Sequence, residues 1–448
     1  MPDDTTGVGA GYQCASVCPR TQQSPRSAAM NHASINHVTV TSPLRGVIPT
    51  AVHRVLYQMA GFLWFNRITI RHRDRLTTVR PTLFLGLHRN GVLDAISYLE
   101  AVPRAAYLVS VQLHESRLGR AVFPGIAVAR DKDRDRGMTA DNVAANERCV
   151  SHLTSGGQLF MMPEGTSGLG PRHLPFKPGA AHIAAAVLRS GVPLTVIPLA
   201  IHYERAWEWQ SRVEVVAGEP VTYRPGELSA LADSFSRFAQ DIAVSLERTG
   251  INVESEDELR LIEMLAYLAN RQTGLSYSWC LKCLESGVPR AVRESAETLT
   301  VLARKTGAWT HQGVPLVHTG PKDLAIAMWS VIAPVIAVFL ATNLPSLAAG
   351  RLAGGVLPDN RNVVGFWSAA VGIPAALIWS AVVVISLIAT GHNWLAAAYA
   401  FVSVIGVRLF HEFRERTVAL YNTFRAPELR APYLELGRRL CKYLHDRL

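Results

Sequence analysis

The stretch "LFLGLHRNGVLDAISYL" (residues 83–99) decides the fold class because it joins two kinds of secondary structure. An apolar run typical of a buried strand ends abruptly at His88, and a helical pattern that carries Asp94 follows it. A strand that leads directly into a helix is the repeating unit of α/β domains. The stretch therefore predicts an α/β fold with a polar loop where a buried strand ends.

The same alternation continues on both sides of this stretch. From about residue 68 to residue 223, helical patterns separate short β-rich runs, namely "ITIRH", "TLFLGL", "AAYLVS", "GQLFMMP", "LTVIPLAIHY" and "RVEVVAG". The alternation predicts an α/β domain at 46–227 with a mostly parallel sheet. Residues 1–45 are polar and lack periodicity, which predicts a disordered tail, and residues 228–322 are amphipathic and predicted to be helical.

Two long runs without a charged residue predict membrane helices in the carboxyl-terminal third. They cover 324–350 and 363–390, and each exceeds the ~20 apolar residues that cross a bilayer. A shorter run at 394–407 is interpreted as a re-entrant segment or the partner in a tight hairpin. We therefore predict membrane helices at 323–411, two of which cross fully. The apolar segment 52–65 is too short to cross, so it predicts a helix on the membrane surface or against the next domain.

The formal net charge of +10 indicates an anionic partner such as phosphate or an acidic membrane surface. Residues 406–448 contain nine Lys/Arg and five Asp/Glu, so 412–448 is predicted to be a basic cytoplasmic tail. Nucleic-acid binding is excluded because the sequence lacks a basic patch interleaved with aromatic residues and carries membrane helices. No metal site is expected, since Cys280 and Cys283 have no second pair near them.

His88 and Asp94 are the first candidate catalytic pair. Six positions separate their side chains by about 240° on an ideal helix, so they cannot meet on one regular helix. They can meet if His88 lies in the loop after the strand and Asn90 caps the helix of Asp94. A carboxylate on one imidazole nitrogen leaves the other nitrogen as a general base. The pair alone also fits a surface histidine beside a capped helix.

Three further blocks carry polar residues that suit an anionic substrate. In "PGIAVARDKDRDRG", Arg130 with Lys132 or Arg134 can bind a phosphate by charge-assisted hydrogen bonds. In "LFMMPEGTSGLGPRHLPFKPGAAHIA", a buried strand leads into a loop, and Lys177 precedes a helix whose free amides suit an anion. In "SGVPLTVIPLAI", two prolines bracket a hydrophobic strand. Each block alone also fits a solvated loop, a strand-exit turn or a core strand.

In this order, the four blocks resemble the glycerolipid acyltransferases of the glycerol-phosphate and lysophosphatidate type. His88 and Asp94 match the family's histidine–aspartate motif, and 125–130 matches the arginine-bearing second block. The Pro-Glu-Gly-Thr block falls on 163–166 and the proline-flanked fourth block on 192–198. The resemblance covers about residues 50–225 and implies an α/β acyltransferase domain followed by a helical segment and carboxyl-terminal transmembrane helices.

Two departures point to a subgroup. Five residues, "RNGVL", separate the histidine from the aspartate instead of the usual four, and Ser167 replaces the arginine that commonly follows the threonine. In both features the sequence is similar to the fungal-type glycerol-3-phosphate/dihydroxyacetone-phosphate acyltransferases and their bacterial relatives. That subgroup also tends to carry hydrophobic helices after the catalytic domain.

The resemblance implies acyl transfer in phospholipid biosynthesis from an acyl thioester to a hydroxyl of a glycerol-phosphate or lysophospholipid acceptor. Acyl-CoA or acyl-carrier protein is expected as co-substrate, with no cofactor. His88 is expected to be the general base and Asp94 to orient it. The expected substrate-binding residues are Asn90, Arg130, Lys132, Glu164, Gly165, Thr166, Ser167 and Lys177.

The resemblance also implies an integral membrane protein that contacts membrane lipid and has its catalytic domain in the cytoplasm. The alternative from another functional class is a non-catalytic membrane protein that retains the fold to bind anionic lipid. Substitution of His88 distinguishes the two, because only the enzyme depends on a general base.

Overall fold

The computed structural model of the chain describes residues 49–77, 81–226 and 234–448, so the predicted tail at 1–45 lies outside the described residues. Within these ranges, eight strands form one sheet. In chain order, strands β1 to β8 are Arg67–Arg71, Thr82–Gly86, Ala106–Ser110, Ile126–Val128, Gln158–Met161, Leu194–Tyr203, Arg212–Ala217 and Val221–Tyr223.

Among the described residues, helices alternate with the strands in the first half of the chain and form nearly all of the second half. In chain order, α1 to α15 are Ala51–Trp64, Val92–Ala101, Arg117–Val122, Asp131–Arg134, Asn142–Thr154, Gly179–Arg189, Ser234–Thr249, Glu256–Thr273, Tyr277–Glu285, Arg290–Thr306, Lys322–Thr342, Leu344–Val356, Val364–Ala389, Asn393–Arg425 and Arg430–His445. Short 3₁₀ helices cover Arg73–Leu76, Val111–His114, Arg361–Val363 and Pro427–Leu429.

The sheet has the order β1-β7-β6-β2-β5-β3-β4, with β8 also paired to β6. Only the pairs of β6 with β7 and of β6 with β8 are antiparallel among the described strands. The predicted α/β class with a mostly parallel sheet is confirmed. Because β2 lies between the parallel strands β5 and β6, the loops that leave β2 and β5 meet at one edge of the sheet, beside β6.

The core lies on both faces of this sheet. Along β2, Leu83 and Leu85 point toward α6, where they pack with residues such as Val187. Phe84 points to the other face and packs in a cluster with Tyr98 of α2 and Phe160 of β5. Successive strand side chains alternate between faces, and an uninterrupted apolar run therefore requires helices on both sides.

β6 continues past the proline that was expected to end it. The strand runs from Leu194 through Pro198 to Tyr203, so the two prolines do not bracket it. Before Pro198, β6 pairs with β8, and after it, β6 pairs with β7. Proline has no N–H group to donate to a neighbouring strand. The strand changes its pairing partner at Pro198, where this hydrogen bond is missing. The continuation places Tyr203 at the edge of the sheet where the loop of His88 lies.

α8, α9, α10 and α15 form a helical unit around one hydrophobic cluster. Tyr267 of α8, Leu284 of α9 and Leu299 of α10 are in this cluster with Tyr433 and Leu436 of α15. The segment predicted as a basic tail is therefore packed, which corrects that prediction. The physical reason is amphipathicity, because α15 buries one apolar face and exposes its basic residues on the other. The exact domain boundaries stay predictions.

Among the described residues, three helices are long and apolar enough to cross a membrane, at Lys322–Thr342, Arg361–Ala389 and Asn393–Arg425. The expected membrane helices are thus present. Of the two interpretations of 394–407, the partner in a tight hairpin fits and the re-entrant segment does not, because these residues are the first part of the 33-residue helix α14, which is separated from α13 by three residues. The apolar run ends near Val407, but the backbone continues as a helix through charged residues to Arg425.

The apolar helices form two hairpins, α11 with α12 and α13 with α14. Both hairpins return to the α/β domain. After α11 and α12, Asn362 donates from Nδ2 to the Ser167 carbonyl at 2.8 Å. After α13 and the first half of α14, His411 donates from Nδ1 to the Gln210 carbonyl at 2.8 Å. Each hairpin therefore starts and ends next to the α/β domain and the helical unit.

Glu214 joins β7 to the helical unit and gives a test of this junction. Its carboxylate accepts hydrogen bonds from Arg71 at 2.6 Å, the Ser276 hydroxyl at 2.7 Å and the Ser278 hydroxyl at 2.6 Å. Burial alone raises the pKa of Glu214, but these hydrogen bonds lower it to about 2. The ionised carboxylate therefore stabilises the fold above the unfolded-state pKa of about 4.3, and the stabilisation is lost as pH falls toward 2.

We expect Glu214→Gln to lower the melting temperature of the detergent-solubilised protein at pH 7. The difference from the unmodified protein is expected to shrink as pH falls from ~4.3 toward 2, because the Glu214 carboxyl is then protonated first in the unfolded state and finally in the folded state. Glu247→Gln, an exposed position on α7, is the matched control and is expected to have no such effect. A difference in melting temperature that is constant from pH 7 to pH ~3 contradicts the prediction.

Candidate active site

His88 and Asp94 meet at the end of β2. His88 Nδ1 lies 2.8 Å from Asp94 Oδ2, and the histidine side chain is 13% exposed. The chain turns between them at Gly91, whose φ of 57° lies in the left-handed region that favours glycine. α2 then begins at Val92 and carries Asp94 in its first turn. The predicted pairing across the strand-to-helix loop is present.

Asp94 is fully buried and uses both carboxylate oxygens. Oδ2 accepts the backbone N–H groups of Arg89 at 2.7 Å and Asn90 at 2.8 Å, and Oδ1 accepts the Tyr203 hydroxyl at 2.6 Å. A negative charge is also favoured at the N-terminus of α2. Burial and the nearby Asp94 raise the pKa of Tyr203 well above its usual value, so Tyr203 remains a donor. These contacts fix the carboxylate that orients His88.

Asn90 is placed differently from the sequence expectation. Its side chain donates from Nδ2 to the Ala206 carbonyl and does not cap α2, whose N-cap is Gly91 without a side-chain cap hydrogen bond. Asn90 is fully buried. The prediction that Asn90 caps α2 is wrong, because the amide instead joins the His88 loop to the loop after β6. Its contact with substrate stays a prediction.

Glu164 ties the third block to the His88 loop. Its Oε1 accepts the His88 N–H at 2.7 Å, and its Oε2 accepts the Leu174 N–H at 3.0 Å. Burial raises the pKa of Glu164, and only 2% of the residue is exposed. In this structure the carboxylate is bound to backbone N–H groups, and its contact with the glycerol stays a prediction. Its position makes it a residue that holds His88 through the backbone.

Arg130 lies beside the third block but is bound to an aspartate. Its Nε and Nη2 donate to the two oxygens of Asp133, each at 2.8 Å, and Nη1 lies 3.5 Å from the Gly165 carbonyl. Burial alone raises the pKa of Asp133, whereas hydrogen bonds from Arg130 lower it to about 2. Arg130 is thus oriented toward Gly165, in the loop that Glu164 joins to His88.

Two lysines complete a group of cations around the same loop. Lys132 Nζ donates to the Thr166 hydroxyl at 3.0 Å, and Lys177 pairs with Asp131. Burial and the neighbouring Arg130 lower the pKa of Lys132. The structure therefore brings Arg130, Lys132 and Lys177 together around Gly165 and Thr166. The sequence analysis expects these residues to lie together as substrate-binding residues.

Ser167 contacts the membrane hairpin. Asn362, in the 3₁₀ helix before α13, donates from Nδ2 to the Ser167 carbonyl and hydroxyl oxygens, both at 2.8 Å. Next to it, Gly365 packs so closely on α2 that a Cβ atom there would lie 2.8 Å from Leu93 Cδ1. The loop between α12 and α13 is therefore part of the site's framework.

A polar pocket of about 360 Å³ lies on the far side of Ser167. Arg89, His173, Arg205, Glu263 and Arg361 are among its lining residues. Arg89 Nη1 is buried without a hydrogen-bond partner among the described residues. Burial raises the pKa of Glu263 to about 7 against the effect of the neighbouring arginines. The pocket thus holds polar groups whose hydrogen-bonding capacity the protein does not fully use.

An apolar cavity of about 1370 Å³ opens on the other side of Trp207. It lies between α1, the loop after β6 and the membrane helices α11 to α14, and its lining includes Met59, Phe62, Phe339 and Val404. Trp207 lines both cavities, with the guanidinium of Arg361 3.7 Å and that of Arg205 4.4 Å from its ring centroid. The helix predicted at 52–65 therefore exists as α1 and forms one wall of this cavity.

A family model described as Acyltransferase matches residues 67–202. That range contains His88, Asp94 and every other site residue predicted from the sequence. The chain therefore carries an acyltransferase domain. It is an acyltransferase, and this finding favours an enzyme over the non-catalytic alternative.

Individual proteins also resemble this acyltransferase. It is 27% identical over 199 residues to 1-acyl-sn-glycerol-3-phosphate acyltransferase alpha of Mus musculus, covering 42% of this chain and 68% of the mouse protein. The crystal structure of the 1-acyl-sn-glycerophosphate (LPA) acyltransferase PlsC from Thermotoga maritima shares 18% identity with it. That comparison has a TM-score of 0.32 and covers 44% of this chain and 78% of the Thermotoga chain.

Two residues of this acyltransferase's site framework were missed from the sequence. Tyr203 follows the fourth block at the end of β6, and the rule that neighbouring parallel strand ends share one edge is a signal that could have found it. Asn362 lies between two membrane helices, far along the chain from Ser167, and no local pattern marks it. Both act through other residues: Tyr203 holds Asp94, and Asn362 holds the Ser167 loop.

Proposed function

We propose that this acyltransferase moves a fatty acyl group from a thioester to the hydroxyl of a glycerol-phosphate acceptor, with His88 as general base. The observation that carries the proposal is the His88–Asp94 pair beside the cation group of Arg130, Lys132 and Lys177. A base and a phosphate-binding group on neighbouring loops at one edge of the sheet are what a phosphorylated alcohol needs in order to react.

The proposed step is a direct transfer. His88 Nε2 takes the proton from the acceptor hydroxyl while that oxygen attacks the thioester carbonyl carbon. The carbon–sulfur bond then breaks, and the leaving thiolate takes the proton back from His88. Asp94 supports both halves of the step, because a buried carboxylate on Nδ1 holds the ring in place and stabilises the imidazolium that forms.

The acceptor phosphate is proposed to bind Arg130, Lys132 and Lys177. Phosphate oxygens form short charge-assisted hydrogen bonds with such groups. In the structure these cations bind Asp133, Thr166 and Asp131, so an incoming phosphate would compete for at least part of this hydrogen bonding. The backbone of Gly165 and Thr166, which the cations surround, is then next to the glycerol.

We expect Arg130→Ala to raise the KM for the acceptor far more than the KM for the acyl donor. Loss of one charged hydrogen-bond partner costs about 1.5–3 kcal/mol, which corresponds to roughly ten- to hundredfold. The variant is also expected to melt at a lower temperature, because Asp133 is fully buried and loses its cation. Steady-state kinetics with each substrate varied in turn measures the effect.

Arg134→Ala is the matched control for Arg130→Ala. Arg134 lies in the same block, is 55% exposed on its side chain and pairs with Asp131 at 3.5 Å. It is expected to keep both KM values within about twofold, as exposed ion pairs contribute little. Equal changes in the acceptor and donor KM of Arg130→Ala would instead show that Arg130 acts only on the fold.

An acceptor that already carries an acyl chain is supported by the apolar cavity between α1 and the membrane helices. The activity named for the mouse relative, a 1-acyl-sn-glycerol-3-phosphate acyltransferase, supports the same acceptor class. Membranes containing the protein can be assayed with lysophosphatidate, glycerol 3-phosphate and dihydroxyacetone phosphate, each with acyl-CoA and acyl-carrier protein. Acylation of the two soluble acceptors alone would contradict the proposal.

The catalytic domain is proposed to face the cytoplasm, where acyl thioesters are made. Support comes from the two hairpins, which return to the α/β domain, and from the Lys/Arg excess of the last residues. In a cysteine-free background, Thr319→Cys and Glu428→Cys are expected to react with an impermeant thiol reagent only after permeabilisation. His392→Cys, at the turn between α13 and α14, is expected to react from outside. The reverse labelling pattern would overturn the orientation.

A further inference from the structure

Two buried histidines and a half-buried glutamate lie together where α14 meets the α/β domain. His411 and Glu415 are one turn apart on α14, and His311 belongs to the short bridged turn between α10 and α11. The two imidazole rings lie edge to face with centroids 4.6 Å apart, and the histidines are 1% and 2% exposed. None of the three belongs to the loop of His88.

Each of these side chains is held from its outer side by a different residue. Tyr267 Oη lies 2.8 Å from His311 Nδ1, and the Gln210 carbonyl lies 2.8 Å from His411 Nδ1. Arg271 Nε lies 2.8 Å from Glu415 Oε1. Outer contacts of this kind orient metal ligands in proteins and leave their inner atoms free to bind.

The contact with Gln210 determines which nitrogen of His411 carries the hydrogen. A carbonyl oxygen can only accept, so Nδ1 of His411 donates the hydrogen bond, and in the neutral ring Nε2 then has a lone pair. Nε2 is buried without a hydrogen-bond partner among the described residues and lies 4.0 Å from Glu415 Oε2. Two electron-pair donors thus face each other across a gap, which is unfavourable unless a positive charge lies between them.

We propose that His311, His411 and Glu415 bind a divalent transition-metal ion of the zinc class. Two imidazoles and a carboxylate are a ligand set that zinc accepts. The ligand atoms lie within 4.8 Å of one another. A shared ion at about 2.0–2.2 Å from each atom needs separations below about 4.4 Å, so small side-chain movements close the site.

The ion would connect three parts of the chain. His311 follows the helical unit, His411 and Glu415 are on the helix that returns from the membrane, and Gln210 belongs to the loop after β6. A metal bound here therefore stabilises the docking of α14 on the α/β domain, because binding free energy adds to the stability of the folded state. No step of the acyl transfer passes through it.

The test uses the full-length protein, purified in detergent through a tag without histidines. Elemental analysis is expected to find about one zinc-class ion per chain, and removal by a chelator is expected to lower the melting temperature until ZnCl₂ is added back. Replacement by Co²⁺ is expected to give the visible absorption of a low-coordinate nitrogen- and oxygen-bound ion.

Variants separate this site from adventitious binding. His411→Ala and Glu415→Gln are expected to lose the bound ion and the response to ZnCl₂, whereas His445→Ala, an exposed histidine on α15, is expected to keep both. If His411→Ala does not fold, the wild-type protein alone decides the question. Less than about a tenth of an ion per chain, with no change in melting temperature on adding ZnCl₂ or chelator, would show that the histidines pack without a metal.

Discussion

Replacing His88 with alanine is expected to lower kcat/KM for acyl transfer by at least about 100-fold. A positioned general base contributes roughly 10²–10⁴-fold to a reaction, and His88 is the group that Asp94, Glu164 and the β2 loop hold in position. The protein is expected to remain folded in membranes, because the histidine side chain is partly exposed at the end of the strand. Transfer of a radiolabelled acyl group in isolated membranes measures the effect.

Two variants and a control make the His88 result specific. Asp94→Asn is expected to lose activity strongly, since an amide cannot stabilise the imidazolium, and Tyr203→Phe less, since it removes only one hydrogen bond to Asp94. His445→Ala, on the exposed face of α15, is expected to leave transfer unchanged. Substantial transfer by the folded His88→Ala protein would exclude His88 as the base.

Gly365→Val is expected to reduce transfer by about 100-fold although residue 365 lies on a membrane helix. A Cβ atom there would come within 2.8 Å of Leu93 and 3.3 Å of the Ala206 carbonyl, the group that binds Asn90. Leu93 is buried in α2, one residue before Asp94, so α13 and α2 must move apart. A misplacement of about 1 Å at a catalytic group can cost about 100-fold in rate.

Ala370→Val is the matched control on the same helix. Ala370 is exposed on α13, so a larger side chain there meets no catalytic element. Both variants are expected to insert into membranes in wild-type amounts, which immunoblotting of the membrane fraction checks. Equal activity of Gly365→Val and Ala370→Val would mean that the membrane hairpin does not position the site.

The sequence predicts the contact between His88 and Asp94 because the signals are local. The apolar run before His88 and the helical pattern after it specify a strand, a turn and a helix, and this geometry places Nδ1 of His88 on Asp94. The cations of the second and third blocks are also placed correctly around Gly165, because both blocks follow parallel strands of one sheet.

The roles of the buried polar residues could not be read from the sequence. Asn90 and Glu164 have the side chains of substrate ligands, but whether an amide or carboxylate faces a substrate or a backbone group depends on its burial in the folded chain. Asn362 contacts Ser167 across a long chain separation, and hydropathy reports only that its neighbours are apolar helices. Long-range packing decides such contacts.

Hydropathy left two interpretations of 394–407 open because the apolar run is shorter than the helix that contains it. The apolar run at 394–407 ends where charged residues begin, but a helix ends only where its backbone hydrogen bonds end, here after Arg425. The charged second half of α14 is stabilised by contacts with the α/β domain and the helical unit, such as that of Asn422 with the Trp309 carbonyl at 2.8 Å.

The helical unit also determines the order in which parts of the chain can fold during synthesis. α8 to α10 leave the ribosome before the two membrane hairpins, and α15 leaves it after them, yet all four share one hydrophobic cluster. The part of this cluster that α15 covers is therefore completed only after both hairpins and the last residues have been made. Membrane insertion thus precedes the final folding of this unit, and His318 and Thr423, which bond at 3.0 Å, mark where its two separately synthesised parts join.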